Sequence, residues 1–327
     1  MRQEAFEQRH QSLWDTFARQ LDELERPRLR RRPEQGAGLP ERYRRVCNHY
    51  ALARGRRYSP ALVEQLHRLV LRGHQQLYTR RGAWMWRLLA FIANGFPRAL
   101  RRQAGYFWFA LALFLLPALL IGVGCMLDEH LVYSVMGEAE VEQMESMYRP
   151  DNEYPGRTLE RGAESDFSMF GFYIFNNIGI GFRTFAMGVL AGVGTVFTLV
   201  YNGLVIGAVA GHLSQLGYHD TFWPFVSGHS SLELTAIVIC GAAGLMLGRA
   251  VIAPGRHARA DALRRYAGAA LPLVMGDGLM LLLAAFIEAF WSAMVLPSSV
   301  KYAVGLLLWG LVILYLSLAG RGGDGAR

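Results

Sequence analysis

The fold of this chain is decided by the apolar run GYFWFALALFLLPALLIGVGCML, which extends from residue 105 to residue 127. It holds no charged residue, and as a helix it is long enough to cross the roughly 30 Å hydrocarbon core of a bilayer. Further apolar stretches follow, in a chain of 327 residues that is 52% hydrophobic and only 18% charged. About 25% of the residues of an average soluble domain are charged. The sequence therefore predicts a polytopic helical membrane protein and excludes a soluble globular fold.

We expect an all-α bundle over residues 105–320 with about six membrane-spanning segments. The second region, 169–201, is interrupted by polar residues, and Asn202-Gly203 is a turn signal between apolar runs. Residues 169–183 could form a re-entrant helix, a surface helix or part of a long tilted span. The six expected segments are 105–127, 184–200, 203–217, 229–251, 267–292 and 302–319.

An Arg-rich arm at 1–104 precedes the bundle. Apolar side chains recur in it at helical spacing, which predicts a helical, cytosolic arm. Aromatic residues from Trp84 to Phe91, followed by arginines up to Arg102, are typical of an interfacial segment beside a membrane span. The expected helices are 4–25, 41–54 and 60–79, with a basic linker at 28–40.

The charges orient the chain in the membrane. Residues 1–104 carry a net charge of +13, the 128–168 loop carries −8 and the 249–265 loop carries +4. Because basic flanks stay on the cytoplasmic side, both termini, including the short tail 321–327, are expected inside, and the acidic loop outside. We expect a bacterial inner-membrane location, and the positive arm is explained without nucleic acid as a partner.

Nothing in the sequence indicates an enzyme or a bound cofactor. The three cysteines, Cys47, Cys125 and Cys240, have no disulfide or metal spacing. Ser227, Ser230 and Ser231 flank His229, but neither a nucleophile elbow nor a His-Glu-x-x-His motif is present. An intramembrane hydrolase is therefore disfavoured.

Polar residues inside the expected spans are the candidates for function. An ionisable group there costs about 2.5–3.5 kcal/mol on insertion scales, so the presence of each one needs a structural or functional explanation. Three acids against one arginine leave surplus negative charge, which favours a cavity in the outer half of the membrane that handles a proton or a cation. The candidates are Asn176, Asn177, Arg183, Asn202, His229, Glu233, Asp277 and Glu288.

Helical spacing groups these candidates by face. His229 and Glu233 are four residues apart and share a face, and Asp277 and Glu288, three turns apart, project the same way. Two ligands at this spacing are fewer than a zinc site uses, so no metal is predicted. Purely structural roles stay open: Arg183 could pair with Glu233, Asp277 could bond between helices, and Glu288 could lie among headgroups.

A set of asparagine, glycine and acid motifs gives the chain a family likeness. The set is Phe175-Asn176-Asn177, Arg183, Gly188, Asn202-Gly203 with Gly207, and Gly228-His229 with Glu233. Together these motifs resemble the stage II sporulation protein M family of integral membrane proteins. The resemblance implies no established enzymatic activity. It implies as partners cytosolic AAA-type ATPases and other small membrane proteins.

Two functions stay open on the sequence. The broken second region and the surplus of acids favour a transporter- or channel-like bundle for an unidentified small solute, ion or proton. The alternative is a non-catalytic scaffold whose arm binds a cytosolic ATPase and whose acidic loop binds envelope proteins. The glycine-bearing faces also predict a homodimer within the lipid bilayer.

Overall fold

The computed structural model describes residues 2–25, 38–78, 81–152, 156 and 163–321, and every regular element among them is a helix. This confirms the all-α prediction. The chain divides into two compact units, Met1–Leu89 and Ala90–Arg327. Most of the predicted basic linker, and all of the tail beyond Arg321, lie outside the described residues.

The first unit contains three helices close to the predicted ones: α1 (Gln3–Glu25), α2 (Leu39–Gly55) and α3 (Pro60–Tyr78). Ser59 caps α3, because its hydroxyl accepts a hydrogen bond of 3.4 Å from the Leu62 N–H. One face of each helix supplies the core of the unit. Its fully buried members include Phe6, Trp14, Phe17, Leu21, Val46 and Leu66.

The second unit is the membrane bundle. Helix α4 (Arg81–Ala90) belongs to the first unit except for its last residue, Ala90. The described α-helices that follow in the second unit are, in chain order, α5 (Phe96–Arg102), α6 (Ala104–Leu127), α7 (Glu138–Tyr148), α8 (Ala163–Ala186), α9 (Val193–Gln215), α10 (His219–Ser227), α11 (Ser230–Ile252), α12 (Arg259–Phe286) and α13 (Ser298–Leu318). A π-helical turn, Ile287–Ser292, extends α12. Five helices in the described part of the chain are long and apolar enough to cross a membrane: α6, α9, α11, α12 with its π-helical turn, and α13. Of these, α11 is the most buried and forms the centre of the bundle.

The boundary between the two units, between Leu89 and Ala90, falls within the predicted interfacial segment. Phe96 and Leu100 of α5 are buried in the bundle core. Arg101 donates hydrogen bonds of 2.8 and 2.6 Å to the carbonyl oxygens of Leu316 and Ala319, at the end of α13. The bundle therefore begins at Ala90 rather than at residue 105, because α5 caps the last turn of α13.

The predicted turn at Asn202-Gly203 is wrong. Both residues lie inside the continuous helix α9, and the chain reverses instead at Ala191 and Gly192, which have left-handed φ values of 54° and 79°. Gly203 is needed for packing, since a side chain there would collide with the carbonyl oxygen of Phe114. Close helix contact thus overrides the local turn preference of the dipeptide.

Helices α6 and α9 run parallel in close contact. Three glycine contacts show this, because the residue numbers rise together in both helices: Gly203 with Phe114, Gly207 with Ala118, and Gly211 with Gly122. Two consecutive apolar spans that run parallel require the chain to cross back between them. Within the described chain, α8 is the long helix available for that crossing.

Helix α8 makes the return. Near its start, the ring of Phe170 lies 5.6 Å from that of Phe290, beyond the end of α12. Near its end, the Thr184 carbonyl accepts a 2.7 Å hydrogen bond from the Thr195 hydroxyl, at the start of α9. Its 24 residues extend about 36 Å, enough to cross the bilayer. The expected second and third segments, 184–200 and 203–217, are therefore replaced by α8 and α9, and 169–183 is part of α8.

The short helices α7 and α10 gather at one end of the bundle, which we call the α7 end. There Tyr148 of α7 packs edge-on against Phe222 and Phe225 of α10. Ser227, the last residue of α10, donates a 3.2 Å hydrogen bond to the carbonyl of Lys301 in α13. The starts of α11 and α13 and the end of the π-helical turn therefore lie together at this end.

Candidate functional site

A polar cluster lies at the α7 end, where α11 begins. His229 directly precedes α11 and Glu233 follows one turn later, so the two side chains share a face, as their spacing predicts. His229 Nε2 lies 3.6 Å from Glu233 Oε2 and 4.0 Å from Glu288 Oε1. One ligand atom from each of the three lies within 4.8 Å of the others. We call His229, Glu233 and Glu288 the acid–histidine cluster.

The π-helical turn at the end of α12 positions Glu288 in this cluster. It also supplies Ser292, whose hydroxyl oxygen lies 3.0 Å from His229 Nδ1. Single π-helical turns inside α-helices often occur at functional sites, because they redirect side chains that a regular helix would place elsewhere. Here the turn directs an acid and a hydroxyl toward the same imidazole.

Helix α8 completes the surroundings of Glu288. Asn177 Nδ2 donates a 3.3 Å hydrogen bond to Glu288 Oε2, and Asn176 Nδ2 donates a 3.1 Å hydrogen bond to Asn177 Oδ1. Four of the predicted residues therefore meet at one place, from three helices: Asn177, His229, Glu233 and Glu288. A fifth, Asn176, adjoins them through its hydrogen bond to Asn177. The structure joins Glu288 to this network rather than leaving it among headgroups.

The acid–histidine cluster is buried. The side-chain exposures of His229, Glu233 and Glu288 are 6%, 18% and 12%. Tyr148 is also buried at this end of the bundle, and burial above all raises the pKa of its phenol well above the usual value. Lys301, also buried, donates a 2.8 Å hydrogen bond from Nζ to the carbonyl of Ser292.

Asp277 forms a second, separate site near the middle of the bundle. Its Oδ2 accepts a 2.9 Å hydrogen bond from Cys240 Sγ, and Oδ1 has no partner in the described structure. Gly181 of α8 packs against the same carboxylate. Asp277 and Glu288 thus face α8 and α11 alike, as predicted, but lie about 16 Å apart along α12.

Arg183 and Asn202 lie in a third place, away from both acids. They line a cavity of about 530 Å³ between α7, α8 and α9. Arg183 Nε bonds to the Gly179 carbonyl at 3.1 Å, and Asn202 Nδ2 to the Thr198 carbonyl at 2.7 Å. Among the described residues Arg183 has no ion pair within 4 Å, so the suggested pair with Glu233 is not formed.

The prediction of a single polar cavity in the outer half of the membrane is therefore wrong, because the candidate residues occupy three separate sites. Arg183 lies in the last turn of α8, next to the turn that leads into α9. The first turns of α8, with Asp166 and Met169, lie at the other end of the helix. This position separates Arg183 from the cluster. Sequence reasoning missed Ser292, Tyr148 and Cys240 as partners. Only Ser292 carried a signal, its four-residue spacing from Glu288.

The acid–histidine cluster is the site with the clearest chemistry. Two carboxylates and one imidazole approach one another from different elements, and no described arginine pairs with them. Adjacent buried carboxylates cannot both hold their charge without a counter-charge, so they take up a proton or a cation. The arrangement can therefore bind a small positive species.

Comparison with protein families separates the same two units. The model described as stage II sporulation protein M matches residues 110–293, from α6 to the π-helical turn and the residue after it. A domain of unknown function, DUF8413, matches residues 4–79, the three helices of the first unit. No curated protein and no solved structure matches the chain. More than half of the chain thus fits one family model, which confirms the resemblance: the chain belongs to the stage II sporulation protein M family.

Proposed function

We propose that this multi-pass membrane protein is a transporter- or channel-like bundle that takes up a proton or a cation at the acid–histidine cluster. One observation carries the proposal: His229, Glu233 and Glu288 bring their ligand atoms within 4.8 Å inside a helical bundle. Acids at membrane depth are costly and typically mark ion or proton pathways. The role is non-enzymatic.

The position of Asp277 supports a pathway rather than an isolated pair of acids. It lies on the same side of α12 as Glu288, faces the same two neighbouring helices and has a carboxylate oxygen that no described residue partners. A second acid, deeper in the bundle, provides a second position for a positive species that enters at the cluster. The cavity beside Arg183 lies on another face of α8 and is outside this path.

Ion flux in proteoliposomes tests the proposal. Vesicles with a pH indicator inside receive a pH step, and parallel samples receive gradients of Na⁺, K⁺ and Mn²⁺. We expect flux of at least one of these ions through the unaltered protein and its loss in Glu233→Gln and Glu288→Gln. The matched control is the exposed pair on the α6–α7 loop, where His130 Nε2 lies 3.7 Å from Glu129 Oε1. Flux that survives both cluster variants, or no flux at all, overturns the proposal.

A scaffold is the second candidate, and the first unit favours it. Residues Met1–Leu89 form a compact unit with its own core, and residues 4–79 of it match a separate family model. A groove there, lined by Asp15, Gln65, Arg68 and Arg72, offers charges of both signs to a cytosolic partner such as an ATPase. Cross-linking of the full chain in native membranes tests this: a reproducible soluble partner at α1 or α3 supports it, and none opposes it.

The homodimer loses its main support. Glycine-bearing faces of the kind that suggested it are used within one chain: Gly203 and Gly207 pack on α6, while Gly188 and Gly192 pack on Gly244 and Gly248 of α11. Native mass measurement of the protein in nanodiscs decides the oligomeric state. Monomer alone removes the dimer from the account.

Orientation in the inner membrane follows from charge, with both termini inside. The predicted outer loop places Glu129 and Glu142 on the opposite side of the membrane from Arg256 and Arg265. Reporter fusions after Gly137 and after Gly255 test this arrangement. Periplasmic activity at the second fusion and none at the first would reverse the topology.

A further inference from the structure

We propose that the acid–histidine cluster is a binding site for a divalent transition-metal cation, with His229 Nε2, Glu233 and Glu288 as its three protein ligands. The inference rests on the proposed function, because it names the class of cation that the same cluster takes. Three observations carry it. The donor atoms converge, one imidazole nitrogen has no hydrogen-bond partner among the described residues, and the other polar atoms of two ligands are already held by neighbours.

The donors converge at nearly the spacing that a metal ion imposes. Ligands at about 2.0–2.2 Å from a tetrahedral ion lie about 3.4 Å from one another. His229 Nε2 lies 3.6 Å from Glu233 and 4.0 Å from Glu288, so small side-chain rotations bring all three into contact with one ion. The donors come from the start of α11 and from the π-helical turn, which fixes them on rigid elements.

The imidazole nitrogen that faces the acids has no hydrogen bond to the residues that the structure describes. His229 is 5% exposed, and its Nε2 distances to both carboxylates exceed the 3.5 Å limit of a hydrogen bond. Glu233 likewise accepts no hydrogen bond from the described residues. A ring nitrogen and a carboxylate that no described group engages are available to bind a further species. An ion between the three side chains would satisfy all of them at once.

In two of the proposed ligands, the polar atom that would not contact the ion already has a neighbouring partner, as is usual in metal sites. The Ser292 hydroxyl lies 3.0 Å from His229 Nδ1, and Asn177 holds Oε2 of Glu288 at 3.3 Å. Such partners fix the tautomer of a ligating histidine and the orientation of a ligating carboxylate. They leave Nε2 of His229 and Oε1 of Glu288 free to face the ion.

The donor chemistry selects the class of metal. An imidazole nitrogen with two carboxylates suits Zn²⁺, Mn²⁺, Fe²⁺ or Co²⁺ better than Ca²⁺ or Mg²⁺, which prefer oxygen ligands alone. Two carboxylates also balance the charge of a divalent ion, which a buried site requires. Three protein ligands leave at least one coordination position open, which permits the ion to enter and leave.

Cobalt binding tests the site without any transport. The tag-free full chain in nanodiscs is stripped with a chelator and titrated with Co²⁺, whose visible d–d absorption reports an ordered site. We expect one Co²⁺ per chain, displaced by Zn²⁺, and loss of the signal in His229→Gln and Glu288→Gln. Glu129→Gln and His130→Asn, the exposed control pair, should bind as the unaltered protein does.

Variants outside the ligands keep the test decisive if the ligand variants do not fold. Ser292→Ala and Asn177→Ala should weaken binding about 10–100-fold, as loss of such supporting partners does. No ordered Co²⁺ or Zn²⁺ signal in well-folded protein overturns the metal site. So does binding that survives the ligand variants.

The two proposals fail separately. Proton flux that needs Glu233 and Glu288, in protein that binds no Co²⁺ or Zn²⁺, overturns the metal site and leaves the proposed function standing. Ordered metal binding without flux of any tested ion retains the site and overturns the transport proposal.

Discussion

Gly203 of α9 lies directly against the backbone carbonyl oxygen of Phe114 in α6, with no space between them for a side chain. The contact recurs one turn later at Gly207 and Ala118, which keeps the two helices in parallel register. Lipid offers no hydrophobic drive between helices, so close backbone packing of this kind holds the bundle together. It also forces the chain back across the membrane through α8.

Substitution of Gly203 or Gly207 by alanine should therefore destabilise the bundle. The added methyl groups collide with backbone atoms that cannot move aside, and overpacking of this kind costs about 1–3 kcal/mol. Gly310→Ala in α13 is the matched control, because open space surrounds that position. There alanine should stabilise the helix by up to about 1 kcal/mol. Reversible unfolding in mixed micelles measures both. Equal effects at Gly203 and Gly310 would contradict the parallel α6–α9 contact.

Cys240→Ala should cost more stability than its size suggests. It removes the hydrogen bond that Cys240 Sγ donates to Asp277, which leaves that buried carboxylate without a partner from the described residues. An orphaned buried polar group costs about 1–3 kcal/mol. Cys47→Ala, in the first unit, is the control. In a double-mutant cycle with Asp277→Asn, the two losses should not add. Strict additivity would show that the thiol and the carboxylate do not interact.

Lys301, the only lysine of the chain, should resist amine-reactive reagents. It is 3% exposed, and its Nζ donates to the Ser292 carbonyl beside the acid–histidine cluster. In folded protein, labelling detected by peptide mass mapping should occur at the N-terminal amine alone. Denatured protein should be labelled at both amines. Rapid labelling of Lys301 in folded protein would place the start of α13 in solvent and contradict the described α7 end.

The first unit should lose stability in mild acid. Burial, followed by the nearby His10 and Arg45, lowers the pKa of His49, and burial and Arg9 lower the pKa of His10. The rings of His10 and His49 lie 4.1 Å apart, and His49 Nδ1 accepts a hydrogen bond from Trp14. The folded unit thus prefers neutral imidazoles. Its stability is complete above the ordinary histidine pKa of about 6.5 and falls as the pH drops below it.

Hydrogen exchange of the full chain measures this effect. Peptides from α1 and α2 should exchange faster at about pH 5.5 than at about pH 7.5, after correction for intrinsic rates. Peptides from α6, which holds no acidic, basic or histidine side chain, should stay unchanged. His49→Gln should remove most of the difference. A pH effect of the same size in that variant would assign it to other groups.

Patterns within one helix could be predicted from the sequence, and contacts between helices could not. Apolar periodicity predicted α1, α2 and α3 within a few residues, and the spacing of His229 and Glu233 predicted their shared face. The misplaced turn had a physical cause: Asn202-Gly203 has the local preference of a turn, but packing on Phe114 keeps it helical.

The composition of the site shows the same limit. Glu288 joins His229 only because α12 and α11 pack side by side and because a π-helical turn redirects the acid. Arg183 departs from the expected group because the turn after α8 places it beside another cavity. Neither relationship leaves a trace in residue spacing, so the acids could be listed from the sequence but not grouped.

X-ray absorption at the zinc edge tests directly whether the acid–histidine cluster binds a cation. With one Zn²⁺ per chain in nanodiscs, we expect only nitrogen and oxygen neighbours at about 2.0–2.2 Å. We also expect the outer-shell pattern of one imidazole, which His229→Gln should abolish. Sulfur neighbours at about 2.3 Å, or an imidazole pattern that persists in His229→Gln, would place the ion elsewhere and contradict the account.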